Sequence, residues 1–106
     1  MDLPVAGFDW DHGNREKCRQ HGVAIADIES LFRREISVSP DLGHSSGETR
    51  FRAIGTDAKG RHLFVAFTLR ASLIRPISAR YMHKKEVRHY EKQKAEAEKI
   101  TGFKIG

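Results

Sequence analysis

The chain has 106 residues, 39% of them hydrophobic and 31% charged, with a formal net charge of +5. That is enough for one compact core and too little for two, and no repeat or low-complexity tract interrupts it. No stretch approaches the roughly 18 apolar residues of a membrane span, and the start, Met1-Asp2-Leu3-Pro4, lacks a basic, then apolar, secretory signal, so a cytoplasmic protein is expected.

The charge is polarised. Residues 1–30 carry Arg15, Lys17 and Arg19 against six acidic residues, whereas the remainder carries 16 Lys or Arg against eight Asp or Glu. A basic surface of this kind suits a polyanion, although solubility alone would also account for it. Cys18 is the single cysteine, which rules out an internal disulfide and a thiolate zinc cluster and leaves a small buried side chain as its natural reading.

Phe8 to Trp10 reads as a short strand, followed by a helix between Asp11, a natural N-cap, and Gly22, a natural C′ residue. Asn14, Cys18 and His21 fall on one face of that helix, and two polar members make the face unlike plain core. A second helix over 24–34 follows from the apolar stripe Ile25, Ile28 and Phe32 with Leu31 beside it. Residues 36–39 read as a short strand. Pro40 and the run Gly43-His44-Ser45-Ser46-Gly47 argue for a loop up to Thr49.

Three strands follow, over 50–56, 62–69 and 73–79, joined by the turns Asp57-Ala58-Lys59-Gly60 and Arg70-Ala71-Ser72. The middle one, with Leu63-Phe64-Val65-Ala66-Phe67, is apolar on both faces and should be an interior strand. Pro76 lacks a ladder donor and predicts a local break in pairing. A last helix over about 83–99 has little apolar content, so it depends on docking near its start, and residues 92–106 are expected to be an exposed tail of a single domain whose core spans about 8–91. The expected architecture is α+β, an antiparallel meander with two N-terminal helices and a C-terminal helix packed on it.

Phe8-Asp9-Trp10-Asp11, Asn14, His21-Gly22-Val23, Gly47-Glu48-Thr49-Arg50-Phe51, Ile54-Gly55, Gly60-Arg61, Ile77-Ser78-Ala79-Arg80, Glu86 and Tyr90-Glu91 together resemble the BrnT family of bacterial toxins. These are the ribonuclease halves of type II toxin-antitoxin pairs. The resemblance implies a RelE-like fold with an RNA-cleaving surface. It also implies a cognate ribbon-helix-helix antitoxin, BrnA-like, that masks the toxin and ties the pair indirectly to operator DNA. The chain departs from the family pattern at Pro76, at Val23-Ala24-Ile25 and after Arg80.

Metal-independent RNA cleavage uses the 2′-hydroxyl as nucleophile. The site must remove its proton, stabilise charge on the phosphoryl oxygens and protonate the departing 5′-oxygen. Arg50 and Arg80 are candidates for a guanidinium clamp, the alternative for each being an ion pair with Glu48 or Glu86. His21 is a candidate acid or base, or a structural histidine at its helix end; Glu48 is a base or an arginine partner. Tyr81 could stack on a base or donate to phosphate, whereas Tyr90 could instead dock the last helix. Lys84, Lys85 and Arg88 form a basic cluster that could hold the RNA backbone or be a solvated helix face. No histidine pattern suggests a metal, and no Gly-rich loop suggests a nucleotide cofactor. Two rivals stand beside the enzyme: a non-catalytic nucleic-acid-binding module, and a degenerate toxin that serves its antitoxin as corepressor.

Overall fold

The computed structural model describes residues 6–41, 43 and 47–105, with side-chain surroundings given up to Glu96. Its elements are β1 (Gly7–Phe8), α1 (His12–Arg19), α2 (Ile25–Leu31), β2 (Ser37–Pro40), β3 (Arg50–Thr56), β4 (His62–Arg70), β5 (Leu73–Tyr81) and α3 (Lys84–Ile105). The strands form one sheet in the order β1-β5-β4-β3-β2.

The sheet is mixed, which corrects the fully antiparallel meander expected from sequence. β2 through β5 do pair antiparallel, but β1 runs parallel to β5, matching Gly7 with Leu73 and Phe8 with Ile74. The ladder groups that β5 presents on its outer edge are taken up there by the incoming chain, which a hairpin reading does not anticipate. Pro40 lies inside β2, an edge strand, where a missing donor is tolerated. The loop expected over Gly43–Gly47 falls largely outside the described residues, as do the side chains of most of the expected tail. Lys92 to Glu96 are exposed.

α1 starts as its sequence predicts. The Asp11 carboxylate accepts from the Asn14 backbone N–H at 2.9 Å while the Asn14 side chain accepts from the Asp11 N–H at 2.7 Å. This reciprocal cap satisfies two donors at the helix start. α2 follows after Gly22, whose φ of +78° suits a residue without a Cβ. Cys18 of α1, Ile28 and Leu31 of α2, and Val23 between them bury against Ala53, Leu63, Val65, Phe67, Ile74 and Ala79 of the sheet. Phe67 is central, edge-on to Phe32 at 5.0 Å and stacked on its cross-strand partner Phe51 at 5.4 Å. Gly55 shares this face. A Cβ there would meet Ile36 and Leu31 methyl carbons at 2.9 Å, so only glycine lets α2 approach β3 so closely.

Since cross-strand partners point to the same side, the register fixes the second face. It carries Arg50, Arg52 and Ile54 of β3, Phe64, Ala66 and Thr68 of β4, and Arg75, Ser78 and Arg80 of β5. β5 is irregular at the expected place. Phe67 pairs with Pro76 and Ala66 with Ser78, leaving Ile77 as the extra residue of a bulge. Arg75 and Arg80 are five residues apart, an odd spacing that would place them on opposite faces of a regular strand, and the bulge brings both to the same one.

Asn14 holds that bulge to α1. Its side-chain NH2 donates to the carbonyl oxygens of Asp9 and of Pro76, both at 2.9 Å, and the residue is buried. Asn14→Ala removes both bonds and half the cap, and should cost about 2–4 kcal/mol of unfolding free energy in urea titrations. A cost under about 0.5 kcal/mol, typical of a surface change, would show that the knot is not structural.

Candidate nucleic-acid interface

The second sheet face is divided in two. At the end nearest His62 and Phe64 it is covered by the start of α3, tied down by three polar contacts. Arg80 donates through both terminal nitrogens to the Glu86 carboxylate at 2.7 and 2.8 Å, His62 bonds Glu91 at 2.7 Å, and the Tyr90 hydroxyl bonds that of Ser37 at 2.9 Å. Glu86 also accepts the His83 backbone N–H at 2.9 Å, capping α3, and the Arg80 guanidinium lies 5.1 Å from the centre of the Phe64 ring. These ties supply the docking that the sparse apolar content of α3 requires.

The other end is an open cleft of about 660 Å³ between the start of α1 and the sheet. Thr68 lies in it, its hydroxyl donating to the Thr49 carbonyl at 2.8 Å, with Arg50 and Arg75 as its cross-strand neighbours on either side. With strands about 4.8 Å apart, the Cα atoms of these two arginines are about 10 Å from each other. His12 and Lys17 of α1 and Glu48 and Arg70 also line the cleft.

Its electrostatics are those of a basic site with anchored acids. Arg75 donates to Asp11 at 2.6 Å and lies 3.6 Å from Asp9. The Asn14 N–H and then the Arg75 guanidinium hold the Asp11 carboxyl below its ordinary value, and the bond to Asp11 raises Arg75 in turn. Arg70 and Glu48 pair at 3.3 Å with both side chains about half exposed, a contact worth little in water. Lys17, Arg50, Arg70 and Arg75 thus outnumber Asp11 and Glu48. Beyond the cleft, Arg52 and Arg80 extend the cationic row toward α3.

The structure brings together some of the sequence candidates and separates others. Arg50 and Glu48 line the cleft. Arg80 shares their face, but its row lies four residues along β4 from the Arg50 row, which puts the two Cα atoms about 17 Å apart. Lys84, Lys85 and Arg88 are exposed at the start of α3, on the Arg80 side. His21 is exposed beyond the C-terminal end of α1 and does not line the cleft, so it falls outside the helix face it was expected to share with Asn14 and Cys18. Tyr81 pairs with Leu63 and so belongs to the opposite face, where the Arg61 guanidinium lies 4.4 Å from its ring centre. Alternation explains the second displacement: neighbours on a strand cannot share a face, so Arg80 and Tyr81 are separated by the sheet.

Several lining residues escaped sequence reasoning. Arg75 was hidden by the bulge, His12 by its place just inside a helix cap, and Lys17 by lying five residues further along α1. Outside the cleft, Cys18 and Asp57 are structural. Burial pushes the Cys18 thiol up to about 11, an inert value. Asp57 would be raised by burial, but the Arg61 backbone and side chain and the Lys59 N–H outweigh that and lower it, pinning the β3–β4 turn. Among the described residues no three His, Cys, Asp or Glu side chains are grouped to hold a metal ion, and no helix is long and apolar enough to cross a membrane.

The family model of the ribonuclease toxin BrnT, of type II toxin-antitoxin systems, matches residues 10–86. This chain belongs to the BrnT family. The matched segment runs from Trp10 through the cap, the cleft lining, the arginine face and the Arg80–Glu86 pair, whereas Asp9, Arg88, Tyr90 and Glu91 lie outside it. Among curated proteins no relative matches the chain. BrnT membership makes the protein a ribonuclease toxin, with RNA as its substrate and an antitoxin as its partner.

The Arg80–Glu86 pair has a consequence for acid stability. Arg80, and then the His83 N–H, lower Glu86 from 4.5 to about 2, and Asp11 and Asp57 shift in the same direction. A carboxylate lowered on folding stabilises the protein above its unfolded value, and that contribution is lost as pH falls through the folded one. Thermal unfolding should therefore show stability falling between pH 4.5 and about 2, more shallowly in Glu86→Gln than in the native protein. Parallel curves would remove the pair from the balance.

Proposed function

We propose that this BrnT toxin is a RelE-like, metal-independent endoribonuclease that cleaves RNA by 2′-hydroxyl attack on the adjacent phosphorus. In this reading the scissile phosphate sits in the cleft against Arg50, and the strand continues across Arg52 toward Arg80, Lys84, Lys85 and Arg88. The observation that carries it is the convergence of Arg50, Arg75 and Arg80 on one sheet face beside an open cleft. Guanidinium groups stay charged and meet phosphate oxygens bidentately, which suits both backbone binding and the charge that builds in the transition state.

The separation of Arg50 and Arg80 assigns them different phosphates. Arg50 stabilises the reacting one. Arg80, held over Phe64 by Glu86, receives a flanking one and fixes the strand's course. Arg75 is committed to Asp11 and positions α1. His21 and Tyr81 have no part in this scheme, because neither reaches the cleft. A ribbon-helix-helix antitoxin neutralises the toxin and, through its own DNA binding, places the pair on its operator.

The test is incubation of purified protein with RNA in the presence of EDTA. New ends bearing 2′,3′-cyclic phosphate and 5′-hydroxyl groups are expected, with the rate lowered about 10²- to 10³-fold in folded Arg50→Ala. Arg80→Ala should chiefly weaken RNA binding, and both variants should relieve growth arrest in cells lacking the antitoxin. Salt-dependent binding without new ends would instead mark a non-catalytic module or a corepressor.

A further inference from the structure

Cleavage by 2′-hydroxyl attack needs a group that accepts a proton near neutral pH, placed where the scissile phosphate lies. Three cleft residues have side chains that can act as a base: Asp11, His12 and Glu48. Asp11 is fully engaged, one carboxylate oxygen accepting the Asn14 N–H at 2.9 Å and the other the Arg75 guanidinium at 2.6 Å. It is the cap of α1 and cannot leave that role without undoing the helix start. Glu48 is paired with Arg70 on the strand side of the cleft.

His12 differs from both. It is the first residue of α1 and exposed, and its imidazole makes no hydrogen bond, ion pair or ring contact with any described residue. The cap immediately before it is bolted to β5 through Arg75, and Asn14 two residues later is bolted to the bulge, so the backbone that carries the imidazole is held rigidly at the cleft. The charged groups around it are Asp11 and Lys17 on α1, Glu48 and Arg50 at the start of β3, Arg70 at the end of β4 and Arg75 on β5. An imidazole beside cations, Arg75 among them held by Asp11, has the right chemistry for proton transfer at a phosphodiester.

We propose that His12 is the catalytic base of the cleft. This rests on the ribonuclease reading above and goes beyond it by naming the group that moves the proton. An imidazole nitrogen of His12 takes the 2′-hydroxyl proton, and the freed O2′ electron pair forms the bond to phosphorus. The bond from phosphorus to O5′ breaks, and the departing oxygen takes a proton from water, which the open cleft admits. The products are a 2′,3′-cyclic phosphate and a 5′-hydroxyl, and His12 returns its proton to solvent.

The experiment is single-turnover cleavage of an RNA oligonucleotide by the full chain from about pH 5 to 9, with binding measured separately on the 2′-deoxy analogue. His12→Gln sits at an exposed helix position, and circular dichroism checks its fold. Cleavage should fall about 10²- to 10⁴-fold at neutral pH with binding to the analogue retained, and the acid limb of the rate profile should disappear. Cleavage within about threefold of the native rate, or a loss that only mirrors weaker binding, overturns the assignment. If the native protein cleaves and Arg50→Ala does not, while His12→Gln is fully active, only the role of His12 falls. If the native protein makes no new ends, the ribonuclease reading fails and His12 falls with it.

Discussion

A single irregularity in one strand governs the functional face. Pro76 cannot donate to the ladder, Ile77 is left over as the extra residue, and the Pro76 carbonyl is taken by the buried side chain of Asn14. Without that extra residue, Arg75 and Arg80 would lie on opposite sides of the sheet. With it, one arginine reaches back to the cap of α1 while the other reaches the cap of α3. Both helices are thereby positioned from the same strand, and the cationic row lies between them.

Different kinds of interaction hold the two faces. The α1–α2 side is closed by apolar packing around Phe67, with Gly55 admitting α2 at close range. The opposite side has few apolar residues of its own, and arginines flank Ala66 and Thr68 across the strands. Long arginine stems can shelter apolar surface while their heads stay in water. Burial and a basic surface are therefore compatible on one face, which explains how β4 can be apolar on both sides without a second full helical layer. Acidic partners restrain the cations: Asp11 on Arg75, Glu86 on Arg80 and Glu48 on Arg70.

Much of this was legible in the sequence. The Asp11 cap, the start and end of β3 and the break at Pro76 each follow from local chemistry, and the structure has them; α1 ends earlier than expected, at Arg19 with Gln20 as its C-cap, and Gly22 with its positive φ turns the chain toward α2. The parallel pairing of β1 was not legible, because a two-residue strand has no periodicity and its partner is 66 residues away. The site was harder. Arg50 and Glu48 were found by motif, but their spatial neighbours depend on register. A one-residue shift in β5 decides whether Arg75 belongs with them, and a strand's alternation excludes Tyr81 once Arg80 is placed. His21 was attractive by residue type; His12, at the other end of the same helix, is the histidine that the fold brings to the cleft.

Membership in the BrnT family makes RNA the substrate, and the proposed placement of that RNA rests on the geometry of the cleft and the arginine row. Amide NMR of the folded protein, titrated with a 2′-deoxy oligonucleotide that it cannot cleave, tests that placement most directly. Shifts concentrated in residues 11–17, 48–52 and 68–80 are the expected result. Shifts concentrated around residues 57–61 and Tyr81, on the opposite side of the sheet, would contradict the account.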